Sequence, residues 1–327
     1  MLLYYIKLIR SLNLIIIALT MYAIRFFFLS LKTSTVQTTY SEQLDYFLLV
    51  LSTLFIGAAG NVINDYFDIK SDEINKPNKL IISKYISTYK AQIFYWILNI
   101  LALIIGAHLS VHKNSFWYIS INIISILLLW YYSYRLKKLF LIGNVVISFL
   151  TCLVIILCGI YFNTLANRNT QLVISNCDVI PLNNMFIHWR QILFRNNNYL
   201  MILIFFSFFL NLCREIIKDI EDFKGDLLLN AKTIPIIINI NRSRWIVITF
   251  LTTIPIGYFY ILKNAFLSIT SLNYLITLPL FISTILVIIS QMILLSSTNS
   301  SSLRTTQQLL KIAMLIGVLS PFYWYTF

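Results

Sequence analysis

Nine of the twelve carboxylates in this 327-residue chain lie in two short segments, "NDYFDIKSDE" at 64–73 and "EIIKDIEDFKGD" at 215–226. In each segment three aspartates follow the spacing i, i+3, i+7, which places their side chains along one stripe of a helix. Such a stripe needs nearby positive charge, because like charges on one helix face repel each other. The stripe residues are Asp65, Asp68 and Asp72 in the first segment and Asp219, Asp222 and Asp226 in the second.

Two facing stripes of this kind predict a Mg²⁺–diphosphate site. Mg²⁺ typically takes one or two protein carboxylates and completes its octahedron with water and substrate phosphate oxygens. At membrane depth each uncompensated charge costs about 2.5–3.5 kcal/mol, so a divalent cation and nearby lysines would stabilise the arrangement. The alternative interpretation is that the aspartates are solvated charges at interfacial helix ends. Two identical stripes at equivalent positions along the chain favour the metal site.

The elements that must position these stripes are membrane-length helices. The chain is 59% hydrophobic and 11% charged, and its mean hydropathy is +0.80. Several apolar runs approach the roughly 20 residues that a spanning helix requires. We therefore expect an all-α polytopic membrane protein with about nine transmembrane helices. The expected spans are 11–31, 44–66, 91–111, 115–133, 139–162, 198–216, 244–262, 272–296 and 307–326.

The two acidic segments close the second and the sixth of these spans. This placement indicates two similar four-helix units plus one further helix. We expect them to form a single domain, 1–327, with a first acidic half at about 1–135 and a second acidic half at about 136–327. Most of the 25 lysines and arginines fall on the side that holds the N-terminus, which predicts that this side is cytoplasmic. The site would then face the cytoplasm from a bacterial inner membrane, in contact with membrane lipid. Because the net charge of +13 follows this topology, we expect no nucleic-acid partner.

Other functional classes have weaker support in the sequence. The four cysteines show no CxxC spacing, and the three histidines fall on the opposite side from the aspartates, which argues against zinc chemistry. An ion-coupled transporter would also place carboxylates in membrane spans. Such a pathway needs polar groups at mid-membrane depth, whereas these acids gather at one membrane face. A scaffold or lipid-binding protein without catalysis is a third alternative.

The acidic motifs resemble those of the UbiA superfamily of intramembrane prenyltransferases. The family's NDxxDxxxD signature is matched by residues 64–72, and its second aspartate-rich motif is matched by 219–226. The run "YSYRLKKLFLIGN" from Tyr132 is similar to the family's YSxxLK…GN element, and "KTIPI" from Lys232 is similar to its KTxP segment. The runs 61–79 and 214–226 look most like the branch that transfers a geranylgeranyl group to geranylgeranylglyceryl phosphate in ether-lipid synthesis.

The resemblance implies a Mg²⁺-dependent enzyme that transfers a prenyl group from an allylic diphosphate to a lipophilic acceptor. An aromatic acceptor of quinone synthesis, 4-hydroxybenzoate or dihydroxynaphthoate, is the alternative to the glyceryl phosphate. The six aspartates would be the catalytic metal ligands, and the prenyl tail would run between aromatic-rich helices. Lys79 stands where relatives carry arginine, and Asn13 belongs to a weak match, "RSLN", to an RPxN-like start. The implied substrate-binding residues are Asn64, Lys79, Lys137, Lys138, Lys218 and Asn13.

Overall fold

The structure is a computed structural model that describes residues 2–30, 40–75, 80–171, 198–228, 230–267, 273–297 and 299–320. The described part of the chain is helical apart from turns and one isolated bridge between Ile82 and Ile86. The helices are α1 Leu2–Leu8, α2 Ser11–Ser30, α3 Tyr40–Phe67, α4 Ile69–Asn75, α5 Thr88–His112, α6 Trp117–Tyr134, α7 Ile142–Gln171, α8 Asn198–Glu221, α9 Phe223–Leu228, α10 Ile234–Ile238, α11 Ile240–Leu267, α12 Asn273–Ser296 and α13 Ser300–Val318, with a 3₁₀ turn at Leu136–Lys138.

The long helices confirm the prediction of an integral membrane protein with an all-α, polytopic fold. At 1.5 Å per residue, a helix of about 20 residues matches the hydrocarbon core of a bilayer. Each of the nine expected spans overlaps one long helix, but the number of membrane crossings stays a prediction. In the described part of the chain, five helical segments are long and apolar enough to cross a membrane: Tyr40–Phe67, Thr88–His112, Ile142–Phe162, Leu200–Glu221 and Leu278–Ser296.

The helices pack around a central space rather than around one solid core. α3 packs against α5 and α6, and α8 packs against α7, α11 and α13. α2 contacts α3, α7 and α13, so it joins the two groups. Many large apolar side chains point outward, as expected where lipid replaces water as the solvent; Trp96, Ile104 and Leu127 are each about 60% exposed.

Each acidic motif continues across a break between a long helix and a short one. α3 ends before Asp68 and α8 ends before Asp222, so the middle aspartate of each motif lies at the break. The i to i+4 hydrogen bonds nevertheless continue, because the amide of Asp68 donates to the carbonyl of Asn64 and the amide of Asp72 donates to that of Asp68. The equivalent bonds link residues 218, 222 and 226 in the second motif. The predicted stripe spacing therefore survives in both motifs.

Candidate active site

The two acidic motifs lie next to each other at one end of the bundle. The short helix α4, which carries Asp72, packs directly against α9, which carries Asp226. Burial, followed by the negative charges of Asp222 and then Asp68, raises the pKa of the Asp226 carboxyl to about 6. An aspartate of the first motif thus acts electrostatically on an aspartate of the second.

Two cations from other parts of the chain and the motif's own asparagine hold the first motif. The Arg10 guanidinium, between α1 and α2, forms an ion pair with Asp65. The Lys137 ammonium, in the 3₁₀ turn, forms an ion pair with Asp68. The Asn64 amide donates to the other oxygen of Asp68 at 2.9 Å. Burial lowers the pKa of Lys137, and its ion pair with Asp68 opposes that shift.

The second motif is held by the start of α7. The Asn144 amide nitrogen donates to Asp219 Oδ2 at 2.7 Å, and Asn144 is itself buried. Lys218, one residue before Asp219, lies close enough to both motifs for its charge to act on Asp65 and on Asp226. The charge of this lysine therefore reaches aspartates of both stripes.

A glycine allows Lys137 and Asn144 to reach the two motifs together. Gly143 lies in the first turn of α7, where a Cβ atom would stand 2.7 Å from the Lys137 Cα and 2.8 Å from the Leu136 carbonyl oxygen. Because both of these are backbone atoms, no side-chain rotation could make room. The close approach brings the 3₁₀ turn against α7, which places Lys137 on Asp68 and Asn144 on Asp219.

Among the described residues, the stripe aspartates do not form a compact group of three metal ligands. Within the part of the chain that the structure describes, the one group of three metal-ligating side chains whose atoms lie within 4.8 Å of each other is Asp45, His108 and His112. Asp45 is twenty residues from Asp65 on α3, about 30 Å along that helix. The Lys113 ammonium lies 2.7 Å from its carboxylate and balances its charge. No three of the six stripe carboxylates, all of which the structure describes, come this close to one another, and Mg²⁺ needs only one or two protein carboxylates per ion.

An apolar cavity of about 340 Å³ lies within the bundle. Its end nearest the acidic motifs, here called the mouth, includes Asn61, one helical turn before Asp65 on α3. The cavity volume is in the range of about 300–1,000 Å³ that is usual for small-molecule sites. The polar residues of its lining include Asn13 and Asn61, and the apolar ones include Ile17, Leu157 and Phe206. Phe206 is the one aromatic residue among the described lining residues, so the lining is mainly aliphatic. The expectation that the prenyl tail runs between aromatic-rich helices stays a prediction. The described lining residues come from eight helices: α2, α3, α6, α7, α8, α11, α12 and α13.

The predicted substrate-binding residues separate into three groups. Asn64, Lys137 and Lys218 lie among the aspartates, and Asn13 lines the cavity beneath them. Lys138 is exposed, although its charge still acts on Lys137. Lys79 lies outside the described residues.

Sequence reasoning missed several residues that the structure brings to the site. Arg10 is 55 residues from its partner Asp65, and no local pattern identifies such a pair. Asn144 and Tyr132 belong to the YSxxLK…GN element, so the family resemblance could have identified both as site residues. The Tyr132 hydroxyl lies within electrostatic reach of Asp68, Asp219 and Lys218.

Comparison with known proteins agrees with this geometry. The model of the UbiA prenyltransferase family matches residues 26–315. The chain belongs to this family. It is 32% identical over 277 residues to digeranylgeranylglyceryl phosphate synthase of Methanobrevibacter smithii, with 84% of each chain covered, and 26% identical over 274 residues to the synthase of Thermococcus kodakarensis, with 84% of this chain and 83% of that one covered. Family membership confirms the prediction that the protein is a prenyltransferase.

Solved structures share the fold over nearly the whole chain. A structure of digeranylgeranylglyceryl phosphate synthase superposes with a TM-score of 0.62 at 25% identity and covers 100% of this chain and 99% of that one. A UbiA homologue from Archaeoglobus fulgidus bound to DMAPP and Mg²⁺ superposes with a TM-score of 0.54 at 14% identity, over 97% of this chain and 99% of that one. At that identity the second comparison supports the fold alone.

Proposed function

We propose that the protein transfers a geranylgeranyl group from its diphosphate to the hydroxyl of geranylgeranylglyceryl phosphate, in a Mg²⁺-dependent reaction. The observation that carries this proposal is that the two aspartate motifs lie next to each other, beside the mouth of an apolar cavity. A diphosphate needs the polar end and a prenyl chain needs the apolar space. The names of the relatives support the choice of donor and acceptor.

The residues at the mouth fit Mg²⁺. All six stripe side chains offer carboxylate oxygens, which Mg²⁺ prefers, and their spacing leaves places for diphosphate oxygens. Bound there, Mg²⁺ would neutralise the charge that develops on the leaving diphosphate. Asp65, Asp68 and Asp72 are proposed to bind Mg²⁺ on one side of the diphosphate. The three aspartates of the second motif are proposed to bind Mg²⁺ on the other side.

The protein's own side chains would orient and neutralise the donor. Lys137 and Lys218 are placed to contact the diphosphate, since an ammonium binds phosphate oxygens as a point charge. Asn64 and Asn144 hold the carboxylates of Asp68 and Asp219 in fixed orientations, as supporting hydrogen bonds do around metal ligands. In the reaction the bond between the allylic carbon and the diphosphate breaks, and the electron pair leaves with the diphosphate. The acceptor oxygen bonds to that carbon and gives its proton to the released diphosphate.

The aliphatic cavity would hold prenyl chain and exclude water from the reacting carbon. We place the mouth on the cytoplasmic side, because that side collects most lysines and arginines. We also propose that residues 1–327 act as one catalytic domain, with both acidic halves contributing to one site. The relatives named above are archaeal, so the expectation of a bacterial membrane stays a prediction without their support.

The test uses purified full-length protein in lipid nanodiscs with geranylgeranyl diphosphate, Mg²⁺ and a panel of three acceptors. Geranylgeranylglyceryl phosphate, 4-hydroxybenzoate and dihydroxynaphthoate are compared by product mass. We expect an ether product from the first acceptor and loss of all product when EDTA removes Mg²⁺. If only an aromatic acceptor gives a product, the proposed acceptor is wrong, but the assignment as a prenyltransferase still holds.

Two variants test the role of the stripes. Asp68→Asn and Asp222→Asn keep side-chain size but remove one charge from each motif, and each should abolish release of diphosphate. Glu73→Gln is the matched control, because Glu73 is an exposed carboxylate of the same segment outside the stripe. If either aspartate variant keeps the turnover of the control, the two-motif site is wrong. A transporter would show no diphosphate release in any of these proteins.

A further inference from the structure

Three cations, Arg214, Lys218 and Lys311, form a group near the second acidic motif. The Arg214 guanidinium forms an ion pair with the buried Glu215, and the Lys218 ammonium lies 3.9 Å from the same carboxylate. The charge of Lys311, on α13, acts on Glu215, Arg214 and Lys218. The charges of three cations therefore act on one carboxylate.

Lys311 has no carboxylate of its own. Within the described residues it forms no ion pair, and Arg10, the fourth cation nearby, is paired with Asp65. Lys218 also acts on aspartates of both motifs, so its charge is shared with them. Glu215 can balance only one of the two other charges, those of Arg214 and Lys311. The remaining positive charge is in a partly buried place, where it is costly unless an anion balances it.

A buried amide beside these cations has an unused donor. Asn211 is only 3% exposed, and its oxygen accepts from Arg214 Nε at 3.2 Å. Among the described residues its Nδ2 group has no hydrogen-bond partner. Buried donors without a partner are rare in folded proteins and indicate a missing ligand or water. Asn211, Arg214 and Lys311 all line the same cavity.

The geometry points to a binding site for the phosphate monoester of the lipid acceptor, formed by Arg214, Lys311 and the Asn211 amide. This inference rests on the proposed function, which it deepens by assigning the residues that select a phosphate-bearing acceptor. A phosphate monoester is negatively charged at neutral pH, so it would balance the positive charge that Glu215 leaves on Arg214 and Lys311. An arginine also presents the fork of donors that phosphate oxygens accept.

The position of the site suits an acceptor whose hydroxyl is near its phosphate. Arg10 acts electrostatically on Lys311 and forms an ion pair with Asp65, and Lys218 acts on Glu215 and on Asp68. The cation group and the aspartate group are therefore neighbours. In a glyceryl phosphate the free hydroxyl is within two carbons of the phosphate ester. Phosphate held by Arg214 and Lys311 would direct that hydroxyl towards the donor diphosphate.

The donor diphosphate would not occupy the site at Arg214 and Lys311. It would be held at the aspartate motifs by Mg²⁺, Lys137 and Lys218. A benzoate acceptor offers two charged oxygens, whereas a phosphate monoester offers three to the donors of Arg214, Lys311 and Asn211. The site therefore favours a phosphate monoester over an aromatic carboxylate.

The experiment compares Lys311→Gln with wild type on two acceptors, geranylgeranylglyceryl phosphate and the same lipid without phosphate, geranylgeranylglycerol. Loss of one charged contact should raise KM for the phosphate-bearing acceptor about 10- to 100-fold. KM for the donor and turnover with the phosphate-free lipid should stay at the wild-type values. Lys311→Arg should restore most of the lost affinity, because it returns the charge.

Lys90→Gln is the matched control, since it removes an exposed lysine at the start of α5, away from the cavity. An unchanged KM for the phosphate-bearing acceptor in Lys311→Gln would overturn the inference. An equal rise in KM for both acceptors, or for the donor, would overturn it as well, because Lys311 would then act on something other than the acceptor phosphate. Failure of the wild-type protein to prenylate geranylgeranylglyceryl phosphate would instead contradict the proposed function itself.

Discussion

Gly143→Ala tests whether the close contact between the 3₁₀ turn and α7 positions the site. The new methyl group would stand 2.7 Å from the Lys137 Cα and 2.8 Å from the Leu136 carbonyl oxygen. Carbon atoms in ordinary contact are about 3.5–4.0 Å apart, so the turn and the helix must separate by about 1 Å. Overpacking of this kind costs about 1–3 kcal/mol of stability.

The same separation should affect catalysis more than stability. It moves Lys137 away from Asp68 and Asn144 away from Asp219, and a misplacement of about 1 Å can cost about 100-fold in rate. We expect kcat/KM for geranylgeranyl diphosphate to fall by about two orders of magnitude. The assays are diphosphate release and thermal unfolding of the purified protein.

Gly159→Ala is the control in the same helix. Its Cβ would stand 3.4 Å from a side-chain carbon of Leu200, which is ordinary contact, and alanine favours a helix by up to about 1 kcal/mol over glycine. We expect its Tm and kcat/KM to equal or exceed those of wild type. The reasoning is refuted if Gly143→Ala matches this control in both measurements.

Three further changes have distinct expected results. Asn144→Ala removes the 2.7 Å hydrogen bond to Asp219 and should weaken Mg²⁺-dependent donor binding about 10- to 100-fold, whereas unchanged binding would show that Asp219 needs no support. Asp226→Asn should stabilise the metal-free protein at pH 7 by about 1–3 kcal/mol. Folding raises the pKa of Asp226 from 3.8 to about 6, so the free energy of unfolding falls as the pH rises from about 4 to 6 and this carboxyl ionises. This gain should disappear as the pH falls towards 4, and a gain that is independent of pH would contradict the shift. Gly106→Ala should lower Tm with little effect on kcat, because a Cβ there would stand 2.4 Å from the Asn122 side-chain nitrogen. That nitrogen donates hydrogen bonds to Ser52 and Ala102, which join α6 to α3 and α5. An unchanged Tm would show that α6 can shift without cost.

The sequence alone predicted the parts of the site that follow local rules. Helical periodicity placed three aspartates of each motif on one stripe, and the structure keeps their i to i+4 hydrogen bonds. Apolar runs of membrane length predicted the long helices. The breaks at Asp68 and Asp222 were not predicted, because neither position carries a proline or glycine that would mark them.

The partners of the aspartates were harder to predict because they come from distant parts of the chain. Arg10 meets Asp65 only after α1 folds against α3, and Lys311 approaches Arg214 only after α13 packs on α8. In the sequence both cations look like ordinary charges near the ends of membrane spans. The aliphatic lining of the cavity was also beyond prediction, because the chain holds 24 phenylalanines and 20 tyrosines and only packing decides which of them face inward.

The most direct test of the two-motif site is a structure of the protein with Mg²⁺ and geranylgeranyl thiolodiphosphate, an unreactive donor. The account predicts metal density about 2.0–2.1 Å from carboxylate oxygens of both motifs, with the diphosphate between them and the chain in the aliphatic cavity. Metal bound by one motif alone, or diphosphate bound away from the aspartates, would contradict it.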